Sequence, residues 1–445
     1  MGIILSMETV DLIISAPWIV PVIPSNTVLT AHCVVIHQGQ IVDVIPHALA
    51  KQRYQPLNEQ HFEKHCLTPG LINNHTHAAM SLLRGLADDL PLMTWLNDHI
   101  WPAEAKWVSD SFVEAGSELA IAEMIRGGTT CFNDMYFFPD ATARIVDQSG
   151  LRANLGMVVI EFPSAWAENA AEYLRKGEQL HDKYSRHTRL TTAYAPHAPY
   201  TVSDESLTAI MTNAEELDVP INMHIHETAG EITQSVEQYG VRPLERLKDL
   251  GLLSPRLTAV HMTQLTNHEI SWCSDMGVHI AHCPSSNLKL ASGFSPIAKL
   301  SQSGVNVTLG TDGAASNNSL DMFAEVNKAA LLAKAVSNDA SAIPAHEALE
   351  MATINAAKSL GLEEHIGSLE TGKSADLIAI DLSDIESQPC YDVISQLVYA
   401  TGRDKVTDVW VEGKTLLKDR QLTTLNQHKI IETAHNLADR IRQST

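Results

Sequence analysis

The feature that most constrains the fold of this chain is an alternation of short β-rich runs with helical stretches between residues 67 and 314. The β-rich runs read "CLTPGLINNH", "TTCFNDM", "LRANLGMVVIEF", "LTTAYAPHAP", "PINMHIHE", "LTAVHMTQL", "VHIAHCPSSN" and "VNVTLGTDGA". The first connection, "EAGSELAIAEMIRGG", has apolar residues at helical spacing before a pair of glycines. Repeated strand–helix units imply parallel strands joined by crossovers, and closing eight of them predicts an α/β fold, a (β/α)8 TIM barrel.

The two flanks of this region have a different pattern. "VDLIISAPWIV" and "CVVIHQGQIVDVI" precede it, and "KSADLIAIDL" and "VTDVWVEGKTLLKD" follow it, each typical of strands around a turn. Neither flank has enough strands for a stable sheet, so we expect one small β-sandwich built from both termini. We predict that residues 1–66 form the N-terminal part of the sandwich and residues 67–367 the metal-dependent barrel. Residues 368–445 would form the C-terminal part of the sandwich and a C-terminal helix near "HKIIETAHNLADRI".

Composition limits the partners and the location. The 445 residues carry a formal charge of −22, which would repel nucleic acid and anionic membranes and leaves a small-molecule substrate as the expected partner. The first residues lack a cationic lead and include Glu8 and Asp11, so we expect neither a signal peptide nor a membrane span. Six cysteines without a CxxC pair favour reduced thiols and a cytoplasmic location. The sequence leaves open whether the protein forms a homo-oligomer.

Histidines and carboxylates recur where the predicted strands end. Active sites of such barrels lie at the carboxyl ends of the strands, and side chains two apart on a strand share a face. A divalent metal needs three or four nitrogen or oxygen ligands. The residues that would meet this need come from strands one, five and eight: His75, His77, His224 and Asp312.

Three further strand-end residues are candidates for the chemistry. Glu227 follows strand five, where a turn of the chain could place its carboxylate above the metal. In that position it could act as a general acid or base. His261, at the end of strand six, could hydrogen-bond and orient the attacking water. His282 ends strand seven, and a structural role there is as compatible with the sequence as a place in the pocket. The serines and asparagines of "GTDGAASNNS" are expected to cap the next helix.

Six motifs in order resemble the amidohydrolase superfamily, and more narrowly its 5′-methylthioadenosine/S-adenosylhomocysteine deaminases. They are "PGLINNHTHAAMSLLRGLADD", "GGTTCFNDMYF", "APHAPYTVSDE", "MHIHET", "SSNLKL" and "GTDGAASNNSLDMF". The resemblance covers nearly the whole chain. It implies hydrolytic deamination of an adenine nucleoside to the inosine analogue and ammonia.

The resemblance also implies roles for particular residues. A mononuclear zinc would be held by the ligand set above, with Fe²⁺ or Mn²⁺ accepting similar ligands. Asp312 and His261 would orient and deprotonate water, and Glu227 would carry a proton to a purine ring nitrogen. Substrate contacts would come from Glu104 to the ribose, from His197 to the purine, and from Arg152.

The sequence leaves the substrate unranked among methylthioadenosine, S-adenosylhomocysteine and adenosine. Some family members carry an arginine after strand three for a homocysteine carboxylate, whereas "EFPSAWAENAAEY" has none before Arg175, which weakens the case for S-adenosylhomocysteine. Deaminases or chlorohydrolases of guanine, cytosine or triazines would use nearly the same metal ligands, but would not need Glu104. A catalytically silent metal-binding barrel is a further alternative, against which Glu227 argues.

Overall fold

The N-terminal segment forms one sheet and contributes strands to another. The computed structural model describes residues 7–443. The first elements are β1 (Glu8–Ser15), β2 (Trp18–Ile19), β3 (Leu29–Thr30), β4 (His32–His37), β5 (Gln40–Pro46), α1 (His47–Arg53), β6 (Tyr54–His61) and β7 (His65–Pro69). A four-stranded sheet has the order β5-β4-β1-β6, while β2, β3 and β7 join a second sheet. The N-terminal flank therefore makes a complete sheet from its own strands, which the sequence did not lead us to expect.

Eight parallel strands form the barrel. They are β8 (Leu71–Thr76), β9 (Thr129–Asp134), β10 (Arg152–Val159), β11 (Leu190–Pro196), β12 (Ile221–Ile225), β13 (Leu257–His261), β14 (His279–His282) and β15 (Val307–Leu309). Each strand pairs with its neighbour in sequence. Just beyond β15, the backbone N–H of Asp312 donates to the carbonyl of His75 at 2.9 Å, which joins the last strand to the first. The predicted barrel is confirmed.

Helices connect the strands. They are α2 (Leu92–Trp95), α3 (Trp101–Trp107), α4 (Asp110–Arg126), α5 (Pro139–Ser149), α6 (Ala170–Tyr184), α7 (Asp204–Leu217), α8 (Ala229–Tyr239), α9 (Pro243–Asp249), α10 (Asn267–Asp275), α11 (Pro284–Lys289), α12 (Ile297–Gln302), α13 (Ala314–Asn317), α14 (Met322–Ser337), α15 (Ala345–Met351) and α16 (Ile354–Ser359). A π-helical turn, Leu96–Ile100, joins α2 to α3, and we refer to residues 92–107 as the cap. Helix α4 begins after Ser109, whose side chain accepts from the backbone N–H of Phe112, and ends at Gly127.

The C-terminal segment completes the second sheet. Its elements are β16 (Leu377–Asp381), α17 (Val393–Tyr399), β17 (Val406–Val411), β18 (Lys414–Lys418), β19 (Gln421–Leu422) and α18 (Gln427–Arg442). The sheet order is β19-β18-β17-β16-β7-β2-β3, so four C-terminal strands and three N-terminal strands form one sheet, joined where β16 pairs with β7. Ile14 and Ile36 of the first sheet pack with Leu377 and Trp410 of the second in one apolar core. This confirms the two-ended sandwich, and α18 confirms the predicted C-terminal helix.

The run expected to be the first barrel strand is divided at Gly70. Residues 65–69 pair with β16 in the sandwich, and the barrel strand begins only at Leu71. A Cβ atom at Gly70 would lie 2.1 Å from the Thr130 side chain, so only glycine allows this close passage from one sheet to the other. The domain boundaries at 66/67 and 367/368 stay predictions. Within residues 7–443, no helix is both long and apolar enough to cross a membrane.

Candidate active site

The predicted metal ligands converge at the carboxyl ends of the barrel strands. His75 lies within β8, His77 follows that strand, His224 lies within β12, and Asp312 follows β15. The Nε2 atoms of His75 and His224 are 3.1 Å apart. Asp312 Oδ1 lies 3.2 Å from His77 Nε2 and 3.7 Å from His75 Nε2. Three imidazole nitrogens and one carboxylate oxygen therefore face one another, and this donor set fits a zinc ion that keeps a position open for water.

In two of the three imidazoles the second nitrogen bonds a backbone carbonyl. His77 Nδ1 bonds the carbonyl of Met135, and His224 Nδ1 bonds the carbonyl of His197. A carbonyl only accepts, so these Nδ1 atoms carry a hydrogen and Nε2 is in each ring the nitrogen that faces the metal site. Residues that directly follow the neighbouring strands β9 and β11 thus orient these two ligands.

Three hydrogen bonds hold the carboxylate of Asp312. Its Oδ2 accepts from the hydroxyls of Ser286, at 2.6 Å, and Ser316, at 2.9 Å, while its Oδ1 accepts from the N–H of Gly313. Its backbone is left-handed, with φ of 63°, which turns the side chain back over the barrel. These bonds hold one carboxylate orientation relative to His77.

Electrostatics favour a bound cation. Burial opposes ionisation of Asp312, but the hydrogen bond and charge of His77, followed by the charges of His75 and His261, hold the pKa of this carboxyl well below its usual range. Burial and the neighbouring imidazoles hold the pKa of His75 and of His224 well below the usual value for histidine. His75 and His224 are therefore neutral beside one carboxylate, as metal binding requires. Burial opposes protonation of His77, but its hydrogen bond with Asp312 raises its pKa to about 9, so a metal would have to displace a proton from this third imidazole.

Glu227 reaches the same cluster because the chain turns immediately after β12. His226 is left-handed, with φ of 54°, and the carboxylate of Glu231 accepts from the N–H groups of His226 and Glu227 at 3.0 and 2.7 Å. The turn places Glu227 Oε2 3.7 Å from His261 Nε2. Burial raises the pKa of Glu227, which keeps its proton available nearer to neutral pH.

A cavity of about 400 Å³ opens above the cluster. Its floor includes His77, His197, Glu227 and Asp312. His197, the predicted purine contact, therefore lines this cavity. The walls are largely apolar side chains from the cap and from the loop after β10, among them Trp95, Leu96, Ile100, Trp101, Ile160 and Phe162. Among residues 7–443, no lysine or arginine lines this cavity.

Glu104, on α3 of the cap, lies in the wall of the cavity. Its Oε1 accepts from the Tyr136 hydroxyl at 2.7 Å. Burial raises the pKa of Glu104, while the bond from Tyr136 and the charge of His77 act in the opposite direction. The structure thus brings a carboxylate of the cap to the same cavity as the metal cluster.

Arg152 does not reach the cavity, which contradicts the sequence prediction of a substrate contact. It is the first residue of β10, at the amino end of the barrel. Its guanidinium is buried, bonds Asp376 Oδ2 at 3.0 Å and donates to the Thr188 carbonyl. Because active-site loops lie at the opposite end of the strands, this arginine joins the barrel to the sandwich.

The sequence interpretation missed the groups that hold Asp312. Ser316 was expected to cap the next helix, but the N-cap residue of α14 is Asp321, whose side chain accepts from the backbone N–H of Ala324. Ser316 instead bonds Asp312, as does Ser286 of the "SSNLKL" motif. The "SSNLKL" and "GTDGAASNNS" motifs mark these serines as candidates for a functional role, but the local sequence does not indicate which group their hydroxyls contact.

A closed parallel barrel with a histidine–aspartate cluster at the carboxyl ends of its strands defines a metal-dependent hydrolase of the barrel type. The comparisons with known proteins agree. The chain belongs to the amidohydrolase family, whose model matches residues 66–416.

Several relatives match nearly the whole chain. A 5-methylthioadenosine/S-adenosylhomocysteine deaminase from Teredinibacter turnerae is 50% identical, over 96% of this chain and 96% of its own. A 5′-deoxyadenosine deaminase from Methanosarcina mazei is 41% identical, over 97% and 98%. The crystal structure of an adenosine deaminase from Xanthomonas campestris with bound zinc is 50% identical, with a TM-score of 0.97 over 98% of this chain and 100% of its own.

Proposed function

We propose that this chain is a zinc-dependent hydrolase that deaminates an adenine nucleoside to the inosine analogue and ammonia. The observation that carries the proposal is the placement of Glu227 and His261 beside the four converging ligands His75, His77, His224 and Asp312, at the floor of a substrate-sized cavity. The names of the relatives, all deaminases of adenine nucleosides, support it.

The roles of the chain's own residues follow from their positions. Zinc, when bound, supplies a Lewis acid that lowers the pKa of water toward neutrality. Asp312 and the Nε2 atom of His261 orient the attacking water and take its proton. Glu227, whose pKa burial raises, gives a proton to the purine ring nitrogen next to the carbon under attack, so that negative charge does not build up there. Water adds at that carbon and ammonia leaves.

The walls of the cavity favour substrates with an uncharged 5′ substituent. Glu104 is the candidate for the ribose hydroxyls and His197 for the purine. The wall formed by Trp95, Ile100 and Phe162 would pack against a methylthio or methyl group. Since no cationic side chain of the described residues lines the cavity, the carboxylate of a homocysteine tail would lose water without gaining a partner. We therefore place methylthioadenosine and 5′-deoxyadenosine ahead of S-adenosylhomocysteine.

The proposal includes a cytoplasmic location, supported by six cysteines that all remain thiols. A homo-oligomer stays a prediction. Guanine, cytosine and triazine hydrolysis are less favoured, because the buried Glu104 carboxylate would have no diol to bind and would be left without its expected partner.

A panel of substrates tests the proposal. Purified protein with its metal quantified would be assayed for ammonia release from methylthioadenosine, 5′-deoxyadenosine, adenosine, S-adenosylhomocysteine, guanine, cytosine and a chlorotriazine. We expect the highest kcat/KM for the first two and about one zinc per chain. Faster turnover of a free base or a triazine, or no ammonia from any adenine nucleoside by the zinc-loaded protein, would overturn the assignment.

A further inference from the structure

Asn287, on α11, bonds the nitrogen of His261 that does not face Glu227. The side-chain oxygen of Asn287 lies 2.8 Å from His261 Nδ1, and both side chains are buried. The other nitrogen, Nε2, lies 3.7 Å from Glu227 Oε2. An amide oxygen can only accept, so Nδ1 must carry a hydrogen, and whenever the ring is neutral Nε2 keeps its lone pair toward the cavity. This is the tautomer that can take a proton from water.

A second, very small cavity lies beside Asn287. Its volume of about 10 Å³ is close to what a single water molecule needs. Three of the residues that line it have a buried polar side-chain atom without a hydrogen-bond partner among residues 7–443, namely Asn287 Nδ2, His282 Nδ1 and Ser295 Oγ. An unsatisfied buried polar group is unfavourable, and these three belong to residues that line the same small cavity, which has room for one polar molecule.

We propose that one bound water molecule bridges Asn287, His282 and Ser295, and that Asn287, held in this way, is a positioning residue that fixes the tautomer of His261. The water accepts from Asn287 Nδ2, donates to His282 Nδ1 and shares its remaining capacity with the hydroxyl of Ser295, which gives the three bonds typical of buried water. With the amide nitrogen bound to water, the amide oxygen faces His261.

The state of His282 agrees with this arrangement. Burial, followed by the charge of His261, lowers the pKa of His282 to about 3, so the ring is neutral and one of its nitrogens accepts. This also gives His282 a role outside the substrate cavity. The catalytic part of the inference rests on the proposed function, because the tautomer of His261 matters only if that residue takes a proton from water.

A high-resolution crystal structure of the zinc-loaded protein tests the water site independently of activity. We expect one ordered water within hydrogen-bond distance, about 2.7–3.2 Å, of Asn287 Nδ2 and His282 Nδ1. A dry cavity, or a water that bonds neither residue, would overturn the site.

Kinetics of Asn287 variants test the positioning role. Asn287→Leu removes the accepting oxygen, and we expect kcat to fall about 10- to 100-fold with KM and zinc content little changed. Asn287→Asp keeps an accepting oxygen and should recover most of that loss. A merely structural role predicts the opposite order, because a buried carboxylate is less favourable than a leucine. Unchanged kcat in Asn287→Leu would remove Asn287 from the mechanism.

His282→Phe offers a test at a residue that does not line the substrate cavity. The phenyl ring fills the small cavity and removes an acceptor for the water. Because His282 acts on His261 only through the water and Asn287, we expect a smaller fall in kcat than for Asn287→Leu, about 3- to 10-fold. His279→Phe is the matched control, since His279 lies on the same strand but bonds Asn306 instead, and it should keep full kcat. Equal kcat in both variants would refute the bridge.

The two levels of the proposal fail in different ways. If the unaltered protein releases ammonia from methylthioadenosine but Asn287→Leu does so equally fast, the positioning inference is wrong and the proposed function stands. If the unaltered zinc-loaded protein deaminates no adenine nucleoside, the proposed function is wrong, the positioning role is overturned with it, and the crystal structure still decides the water site.

Discussion

Replacing Glu227 by glutamine separates proton transfer from metal binding. The change keeps the shape of the side chain and removes its ability to give and take a proton. General acid–base groups typically contribute 10²- to 10⁴-fold to the rate, so we expect kcat on methylthioadenosine to fall by that factor, about 3 to 5 kcal/mol in activation free energy.

The structure indicates that little else should change. Glu227 is not among the four converging donors, so about one zinc per chain should remain bound. Its hydrogen bond with Ser292 is long, at 3.4 Å, and an amide oxygen can accept the same bond. Since burial disfavours the charged form of Glu227, the uncharged glutamine should alter the free energy of unfolding by no more than about 1 kcal/mol.

The assay combines steady-state ammonia release, metal quantification and thermal unfolding on one preparation. Glu237→Gln, the same chemical change at an exposed position of α8, is the matched control and should keep full activity. A Glu227→Gln protein with normal zinc content and normal kcat would refute the proton-transfer role. A protein that lost both zinc and activity would show that Glu227 acts through metal binding.

Three further predictions concern buried polar groups of the barrel. Removing both hydroxyls that hold Asp312, in Ser286→Ala with Ser316→Ala, should weaken zinc binding about 10- to 100-fold in chelator competition, and unchanged affinity would contradict a supporting role. Arg152→Met should lower the free energy of unfolding by about 3–5 kcal/mol because it leaves the partner carboxylate buried and unpaired, with KM unaltered; a raised KM in a stable variant would restore the substrate contact. Burial raises the pKa of Glu325 to about 7, so its contribution to stability is complete below about pH 4.5 and is lost as the pH rises to 7. Relative to Glu325→Gln, the unaltered protein should lose about 3 kcal/mol over that range in denaturant titrations, and parallel profiles would refute this.

The parts of the fold that follow from local pattern could be predicted from the sequence. Each barrel strand is a short β-rich run, and the connections have helical spacing or an N-cap residue, so the number and order of units are encoded locally. Barrel geometry then brings the carboxyl ends of the strands together, which is why His75 and Asp312, far apart in sequence, could be assigned to one cluster.

What the sequence could not provide are contacts that depend on the packing of separate segments. The passage at Gly70 is set by the side chain of Thr130, which lies 60 positions away in the chain. The hydroxyls of Ser286 and Ser316 could equally well have capped a helix, and only the packing of α11 against α13 directs both to Asp312.

The error at Arg152 shows how the two ends of the barrel differ. At the amino ends of the strands, Asp376 receives the guanidinium of Arg152 and the backbone N–H of Glu412, and its carbonyl accepts from Gly70. These bonds tie barrel strands to the sandwich and contribute stability. At the carboxyl ends, the polar residues follow the strands and face a cavity. A polar residue that begins a barrel strand is therefore a candidate for a structural role, whereas one at the carboxyl end is a candidate for chemistry only if its side chain reaches the cavity, which His282 does not.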